Sequence, residues 1–323
     1  MFSIYQIKDA YKLIRGNINK TPILFSDKIN NLTKSNIIFK AENLQKTGSF
    51  KIRGALNFIG QSKNQDFVAP SSGNHAQGVA AAASLHNKNS TLVMPSDAPL
   101  TKIQGVKSYG GNIIFYDRYK EDRVKIAKKI SLDKGYDFIP PYDHKDIILG
   151  QGTLGLEVLD QLKGIDFVPD TVLCCCGGGG LISGLSIALK SYWDNLNIHP
   201  VEPEFWDDTR ISLKEKKRHI IINKKSSICD ALLSETPGEL TFRINKKLLS
   251  FGISVTDQQA MEAIHVAYEY LKLVLEPGGA VALAAALNYS EVVKNKNVLV
   301  ILSGGNIDKK IFLNSLKTKI KKL

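Results

Sequence analysis

Lys51 stands in the run Thr47-Gly48-Ser49-Phe50-Lys51-Ile52-Arg53-Gly54-Ala55, a small-residue turn leading into an amphipathic pattern through Ile52, Leu56 and Ile59. An amine so placed can attack a carbonyl or take a proton, provided that its surroundings keep it neutral. A plainer reading has Ser49 capping the helix and Lys51 solvated in its first turn. Three further loops suit one anionic ligand: Ser71-Ser72-Gly73-Asn74-His75, Gly177-Gly178-Gly179-Gly180 and Ser303-Gly304-Gly305-Asn306. Each follows an apolar strand-like run, which is where α/β proteins carry their binding loops. The four glycines precede a helical pattern from Leu181, so their N–H groups can converge on an anion such as a phosphate.

A dinucleotide fold is the rival for that glycine turn, because Glu202 follows it after the strand-like Asn197-Ile198-His199-Pro200-Val201. The spacing does not support it. Counting from Gly177 puts Ile182 at the third glycine position, and counting from Gly178 puts Ser183 there. A nicotinamide-dependent dehydrogenase also leaves Lys51 and the Ser71 loop without a task. A non-catalytic binding protein has no reason to carry all four loops together.

The elements that must position these loops alternate between short β-branched runs and helical patterns, which predicts a parallel α/β architecture. Strands are expected around Ile37–Phe39, Phe67–Ala69, Thr91–Met94, Ile113–Tyr116, Val172–Cys174 and Val298–Leu302; helices are expected over Gly78–Leu85, Thr101–Tyr109 and Glu121–Lys134. The uncharged stretch from Thr171 to Leu189 is broken by the glycines and reads as strand, loop and helix rather than a membrane span.

The chain has 323 residues, enough for two lobes, with 43% hydrophobic and 23% charged residues. Its formal charge is +12, yet the lysines are scattered among Asn, Asp and Glu. Only 214–218 and 317–322 form basic clusters, with no aromatic motif beside them, so a solvated surface is expected and no nucleic-acid partner. Of four cysteines, Cys174, Cys175 and Cys176 are consecutive. Alternation along a strand sends neighbours to opposite faces, so they read as small apolar filling and not as a metal cluster. Thiols without a disulfide framework, and a start lacking a basic segment and apolar core, predict a cytoplasmic protein with no membrane partner.

Taken in order, these segments resemble the threonine/serine dehydratase and serine racemase branch of the fold-type-II pyridoxal-phosphate (PLP) enzymes, related to the tryptophan synthase β chain. The likeness runs from Thr21-Pro22-Ile23 through 41–45, the lysine segment, 71–78, Met94–Pro99 and Gly150–Thr153. It continues through the four glycines, Glu202-Pro203-Glu204 and Glu276-Pro277-Gly278-Gly279 to the Ser303 loop. The resemblance implies two open, twisted, mostly parallel sheets flanked by helices. It also implies a large cofactor-binding lobe from residues 1–65 and 145–323 and a small substrate-binding lobe over 66–144, associating as a homodimer.

By the same resemblance Lys51 holds PLP as a Schiff base and removes the substrate Cα proton. Phe50 packs beside the cofactor ring, Asn74 bonds its 3′-oxygen, Gly177 to Gly180 bind its phosphate, Glu276 lies at its ring edge and Ser303 faces its nitrogen. A hydroxyl partner does not hold a proton on that nitrogen as a carboxylate would, so the ring is a milder electron sink that favours β-elimination over transamination. Ser71, Ser72, Gly73, Asn74 and His75 form the substrate turn. Ser72 matches the serine that exchanges a proton in racemases, and His75 organises the turn as a helix begins. Glu202, the carbonyl of Trp206 and Asp208 match a loop that binds Mg²⁺ or Ca²⁺, a donor set suited to a hard cation. Phe205 departs from the pattern, which has glycine there. An acidic loop paired with Arg210 is the alternative.

The implied activity is loss of water from L-threonine or L-serine, giving 2-oxobutanoate or pyruvate and ammonia. Serine racemase and threo-3-hydroxyaspartate dehydratase are alternatives on the same scaffold. Arg53 is the only arginine within the cofactor motifs and starts a helix, so threonine and serine are expected to rank above 3-hydroxyaspartate, with D-serine slow. The chain ends 17 residues after Asn306 (323 − 306), so no C-terminal regulatory domain, and a catabolic role, are expected.

Overall fold

Strand runs buried on both faces need helices on each side, which is the setting of parallel sheets. The computed structural model describes residues 2–98 and 100–320 and shows this arrangement twice. Pro99, which closes the Met94–Pro99 segment, and Lys321 and Lys322 of the basic tail lie outside the described residues. Ten strands occur in chain order: β1 (Ile23–Phe25), β2 (Asn36–Ala41), β3 (Asp66–Ala69), β4 (Asn89–Pro95), β5 (Asn112–Tyr116), β6 (Asp137–Phe138), β7 (Thr171–Cys175), β8 (Asn197–Pro203), β9 (Ile253–Val255) and β10 (Asn297–Leu302). One sheet has the order β1-β2-β10-β7-β8-β9 and the other β5-β4-β3-β6. Every pairing is parallel except β1 with β2. All six expected strands are present. The short β1, β6 and β9 carry too few residues to show a period.

Parallel register brings the carboxyl ends of the large sheet to one edge. Leu302 of β10 aligns with Ala41 of β2, and Cys175 of β7 aligns with Val201 of β8. The Lys51 segment, the Ser303 loop, the glycine turn and the Glu202 loop all leave that edge. The Ser71 turn leaves the end of β3 in the smaller sheet. The helix Lys51–Gln61 joins the two parts: Ile52, Ala55, Leu56 and Ile59 are fully buried and share a core with Phe67, Val79 and Leu92 of the smaller sheet's layers. A cut at residue 65 thus separates a helix from a strand that share one core.

Two sequence expectations change. The helix over Gly78–Leu85 begins four residues earlier, at Asn74, with Gly73 at its N-cap. Ser49 does not cap the lysine helix. Phe50 occupies the N-cap, and Ser49 forms an isolated antiparallel bridge with Gly304 that ties the two loops together. Among the described residues no helix is long and apolar enough to cross a membrane.

Candidate active site

Lys51 is the first residue of its helix, and its amine lies within the cleft between the two sheets. Nζ donates to the carbonyl of Pro141 at 2.9 Å and sits 5.3 Å from the centre of the Phe50 ring. Burial pushes its pKa down to about 8, against the opposing pull of Cys175 and Glu276. The plain reading of a solvated first-turn lysine is therefore excluded, since this amine is desolvated and gives up its proton far more readily than an ordinary lysine.

The glycine turn faces the same cavity. Gly179 has φ +94° and caps the helix Gly180–Lys190, a conformation that needs no Cβ. A Cβ on Gly178 would lie 2.2 Å from the Tyr142 ring, so the ring can lie against that backbone only because the residue is glycine. The N–H groups of residues 177 to 180 have no acceptor among the described residues. They make a cradle of unpaired donors at a helix N-terminus, the setting that binds phosphate. The Gly178 carbonyl is held from behind by Gly238 N at 3.3 Å and by the Thr241 hydroxyl at 2.7 Å. Asp143 in turn accepts from the backbone N–H groups of Glu239, Leu240 and Thr241.

Asn74, Glu276, Ser303 and Asn306 meet opposite the glycines. Asn74 Nδ2 donates to Glu276 Oε1 at 2.5 Å, and Asn306 Nδ2 donates to Asn74 Oδ1 and to the Thr47 carbonyl, each at 2.8 Å. One N–H of Asn74 remains for a ligand. Burial raises the Glu276 pKa to about 8, against the hydrogen bond from Asn74. The Ser303 carbonyl accepts from Phe50 N at 3.3 Å, and its hydroxyl accepts from the Cys175 thiol at 3.2 Å. Cys175 was read from sequence as core filling, yet it lines the cavity.

Ser71, Ser72, Gly73, Asn74 and His75 line the cleft from the other sheet, at the N-terminus of the helix Asn74–Leu85. Ser71 Oγ accepts from Gly73 N at 3.3 Å. His75 Nε2 lies 3.2 Å from the Ile139 carbonyl, and burial together with the Lys51 charge lowers its pKa to about 3. It is neutral at any physiological pH, which leaves it tethering the turn and not titrating.

Sequence reasoning missed Lys102 and Arg123, which line the cavity from the helices Leu100–Ser108 and Arg123–Lys134. Lys102 pairs with Asp230 across the cleft. Arg123 has no hydrogen-bond or ion-pair partner among the described residues. Tyr142 was missed as well. Nothing in local sequence marks these three, since only the fold brings 102, 123 and 142 to one cavity. Arg53, by contrast, points away from the cavity. It is fully buried and forked onto Glu42 and Glu157 at 2.7–2.9 Å, with Lys40 completing a neutral four-charge cluster.

Glu202 stands at the carboxyl end of β8 and Trp206 and Asp208 lie just beyond it, all three outside the cavity. Glu202 is fully buried and accepts from Thr209 N at 2.9 Å and Arg210 N at 2.7 Å, capping the helix Asp208–Glu215. Both carboxylate oxygens of Asp208 are buried without a partner among the described residues. Burial raises both acids, helped at Glu202 by the charges of Asp208 and Asp207 and at Asp208, which reaches about 8, by that of Asp207. The Arg210 side chain pairs with Asp207 instead. Phe205 has φ +67°, the left-handed region that a glycine would occupy without strain. It is held there by Lys225, whose Nζ lies 3.8 Å from the ring centre, while Trp206 Nε1 donates to the Lys225 carbonyl at 2.7 Å. Among the described residues no group of three His, Cys, Asp or Glu side chains could hold a metal. Any cation here would need the Trp206 carbonyl or water as well.

A buried lysine with a lowered pKa, set between an anion cradle and the polar groups of Asn74 and Ser303, fits an α/β enzyme built around a phosphorylated carbonyl cofactor. Three perturbed titrating groups in one cleft fit that class. The chain belongs to the family of pyridoxal-phosphate-dependent enzymes, whose sequence model matches residues 14–304. It is 38% identical to the L-threo-3-hydroxyaspartate ammonia-lyase of Saccharomyces cerevisiae over 319 residues, covering 97% of this chain and 96% of that protein. It is 37% identical to the L-threonine ammonia-lyase of Thermotoga maritima, covering 95% of this chain and 76% of that protein. The solved structure of maize serine racemase superposes with a TM-score of 0.90 at 35% identity, covering 98% of this chain and 97% of that one.

Proposed function

We propose that this chain is an ammonia-lyase that removes water from a 3-hydroxy amino acid, giving a 2-oxo acid and ammonia. The observation that carries it is the desolvated Lys51 amine facing the glycine cradle and the Ser71 turn across one cleft. PLP supplies the electron sink for the bond broken at Cα. The residues do the rest. The amides of 177 to 180 hold the phosphate, while Asn74 and Ser303 fix the ring edge. The N-terminus of the helix Asn74–Leu85 and the Ser71 and Ser72 hydroxyls bind the α-carboxylate. Lys51 takes the Cα proton, and the β-hydroxyl then leaves as water once protonated. The enamine released hydrolyses in solution to ammonia and 2-oxobutanoate from threonine, or pyruvate from serine. Exchange of a proton at Ser72 in place of Lys51 returns the amino acid inverted, so slow, Ser72-dependent D-serine formation accompanies elimination.

Arg123 favours a second reading of the substrate within the same chemistry. The expectation that no cation awaits a second carboxylate rested on the cofactor motifs alone, and Arg123 lines the cavity unpaired. A substrate carboxylate there gains a charge-assisted hydrogen bond that neither threonine nor serine makes. Keto-acid release is to be measured with L-threonine, L-serine, D-serine and threo-3-hydroxyaspartate. In Arg123→Leu, kcat/KM for 3-hydroxyaspartate is expected to fall roughly 10- to 100-fold while threonine changes little. Equal losses on both would contradict this assignment of Arg123.

Glu202, Asp208 and the Trp206 carbonyl are proposed to hold Mg²⁺ or Ca²⁺. The unpartnered oxygens of Asp208 support this, because a buried acid without a donor is stabilised by a cation. Chelation is expected to lower Tm, since a ligand bound only to the folded chain stabilises it by mass action. An unchanged melting curve after EDTA, with no metal in the purified protein, would rule the cation out.

A further inference from the structure

Strands β7 and β10 are neighbours in the large sheet, so the last residue of one and the residue after the other meet at the carboxyl edge. Those residues are Cys175 and Ser303, each 4% exposed and each lining the cofactor cavity. Cys174 and Cys176 are occupied elsewhere: the first thiol donates to the Cys175 carbonyl at 3.5 Å, and the second lies 3.4 Å from the Thr209 hydroxyl. Only Cys175 turns its sulfur to Ser303, donating to Oγ at 3.2 Å.

A serine hydroxyl has one hydrogen and two lone pairs. With one lone pair taken by the thiol hydrogen, the hydroxyl hydrogen must rotate away from the sulfur. Among the described residues it finds no acceptor there. We infer that Cys175 is a positioning residue for this reaction: its S–H group fixes the Ser303 rotor so that the serine hydrogen is presented to the ring nitrogen of the cofactor. The inference rests on the proposed reading that Ser303 faces that nitrogen. An oxygen that accepts one hydrogen bond also donates its own more strongly, so the thiol sharpens the donor as well as aiming it. The partition between elimination and competing outcomes depends on how much charge the ring nitrogen accepts. Cys175 therefore tunes the reaction without touching the substrate.

The test measures the PLP dissociation constant and the position of the visible absorption band in wild type, Cys175→Ala, Cys175→Ser, Ser303→Ala and the Cys175→Ala/Ser303→Ala double variant. Cys175→Ala is expected to weaken PLP roughly five- to tenfold, the worth of one buried hydrogen bond, and to move the band. Cys175→Ser keeps an O–H donor and nearly the same volume, so it returns both readings to within about twofold of wild type. It also keeps the comparison readable if the alanine variant folds poorly. The double variant is expected to bind no more weakly than Ser303→Ala alone, because the thiol acts only through that hydroxyl. Full additivity of the two alanine changes, or a Cys175→Ala protein matching wild type in both readings, would overturn the inference. A wild type that binds no PLP would instead sink the proposed function, and this inference with it.

Discussion

Replacing Lys51 by alanine is expected to lower kcat on every hydroxy amino acid by at least ~10³-fold, the scale of losing a positioned base that is also the covalent anchor. The variant should still take up PLP, because the amides of 177 to 180 and Asn74 do not depend on the amine. It should lack the ~410–420 nm band of a lysine-bound cofactor, and borohydride should fix no cofactor to the chain. The pH dependence follows from burial. The amine has a pKa of about 8 in the folded protein, against 10.5 for an ordinary lysine, so it is protonated below about 8 and reactive above it. Recombination of PLP with cofactor-free protein should therefore speed up about tenfold per pH unit below that value and level off above it. Linkage gives the sign for stability. Between about 8 and 10.5 the unfolded chain binds the extra proton, so this group makes the cofactor-free protein more stable as pH rises through that window. A rate of recombination flat from pH 6 to 9 would contradict the burial account.

Breaking the buried ion cluster behind the same helix is expected to have the largest effect on stability. Arg53 is fully enclosed and donates to both Glu42 and Glu157. Burial works against its charge and that of Glu42, but the pairing outweighs it, raising the pKa of Arg53 and lowering that of Glu42. Arg53→Leu leaves two carboxylates enclosed with only Lys40 to balance them, at a cost of roughly 3–5 kcal/mol. For a chain of this size that corresponds to a fall in Tm of roughly 10 °C. Removing Lys163, whose ion pair with Asp160 is exposed, should leave the melting temperature nearly unchanged. Comparable shifts from both changes would show that the cluster is not what anchors the helix bearing Lys51.

What could be read from sequence follows the range over which each signal acts. The runs 298–302 and 172–174 announce strands because burial on both faces requires continuous apolar residues, and the glycines announce a turn because close approach requires them. The gathering of Lys51, Ser71 to His75, the glycine turn and Ser303 was legible through their common position after strands. The rest was hidden for physical reasons. A strand period says that Cys175 faces away from Cys174 but not which face meets the cofactor. Arg123 is one charged residue on a polar helix, and only the second sheet places it over the cleft. Ser49 looked like a cap because cap residues are chosen by type, whereas pairing with Gly304 across more than 250 residues decided its conformation. Phe205 was recognised as a departure in sequence. Its positive φ and its contact with Lys225 are how the turn accommodates a side chain there.

The most direct measurement of the central claim is the stoichiometry of products from PLP-loaded protein given L-threonine, L-serine or threo-3-hydroxyaspartate. With at least one of the three, the account predicts one ammonia and one 2-oxo acid for each amino acid consumed, and loss of both in Lys51→Ala. Consumption of none of the three, inversion at Cα as the main outcome, or 2-oxo acid formed without free ammonia would contradict it.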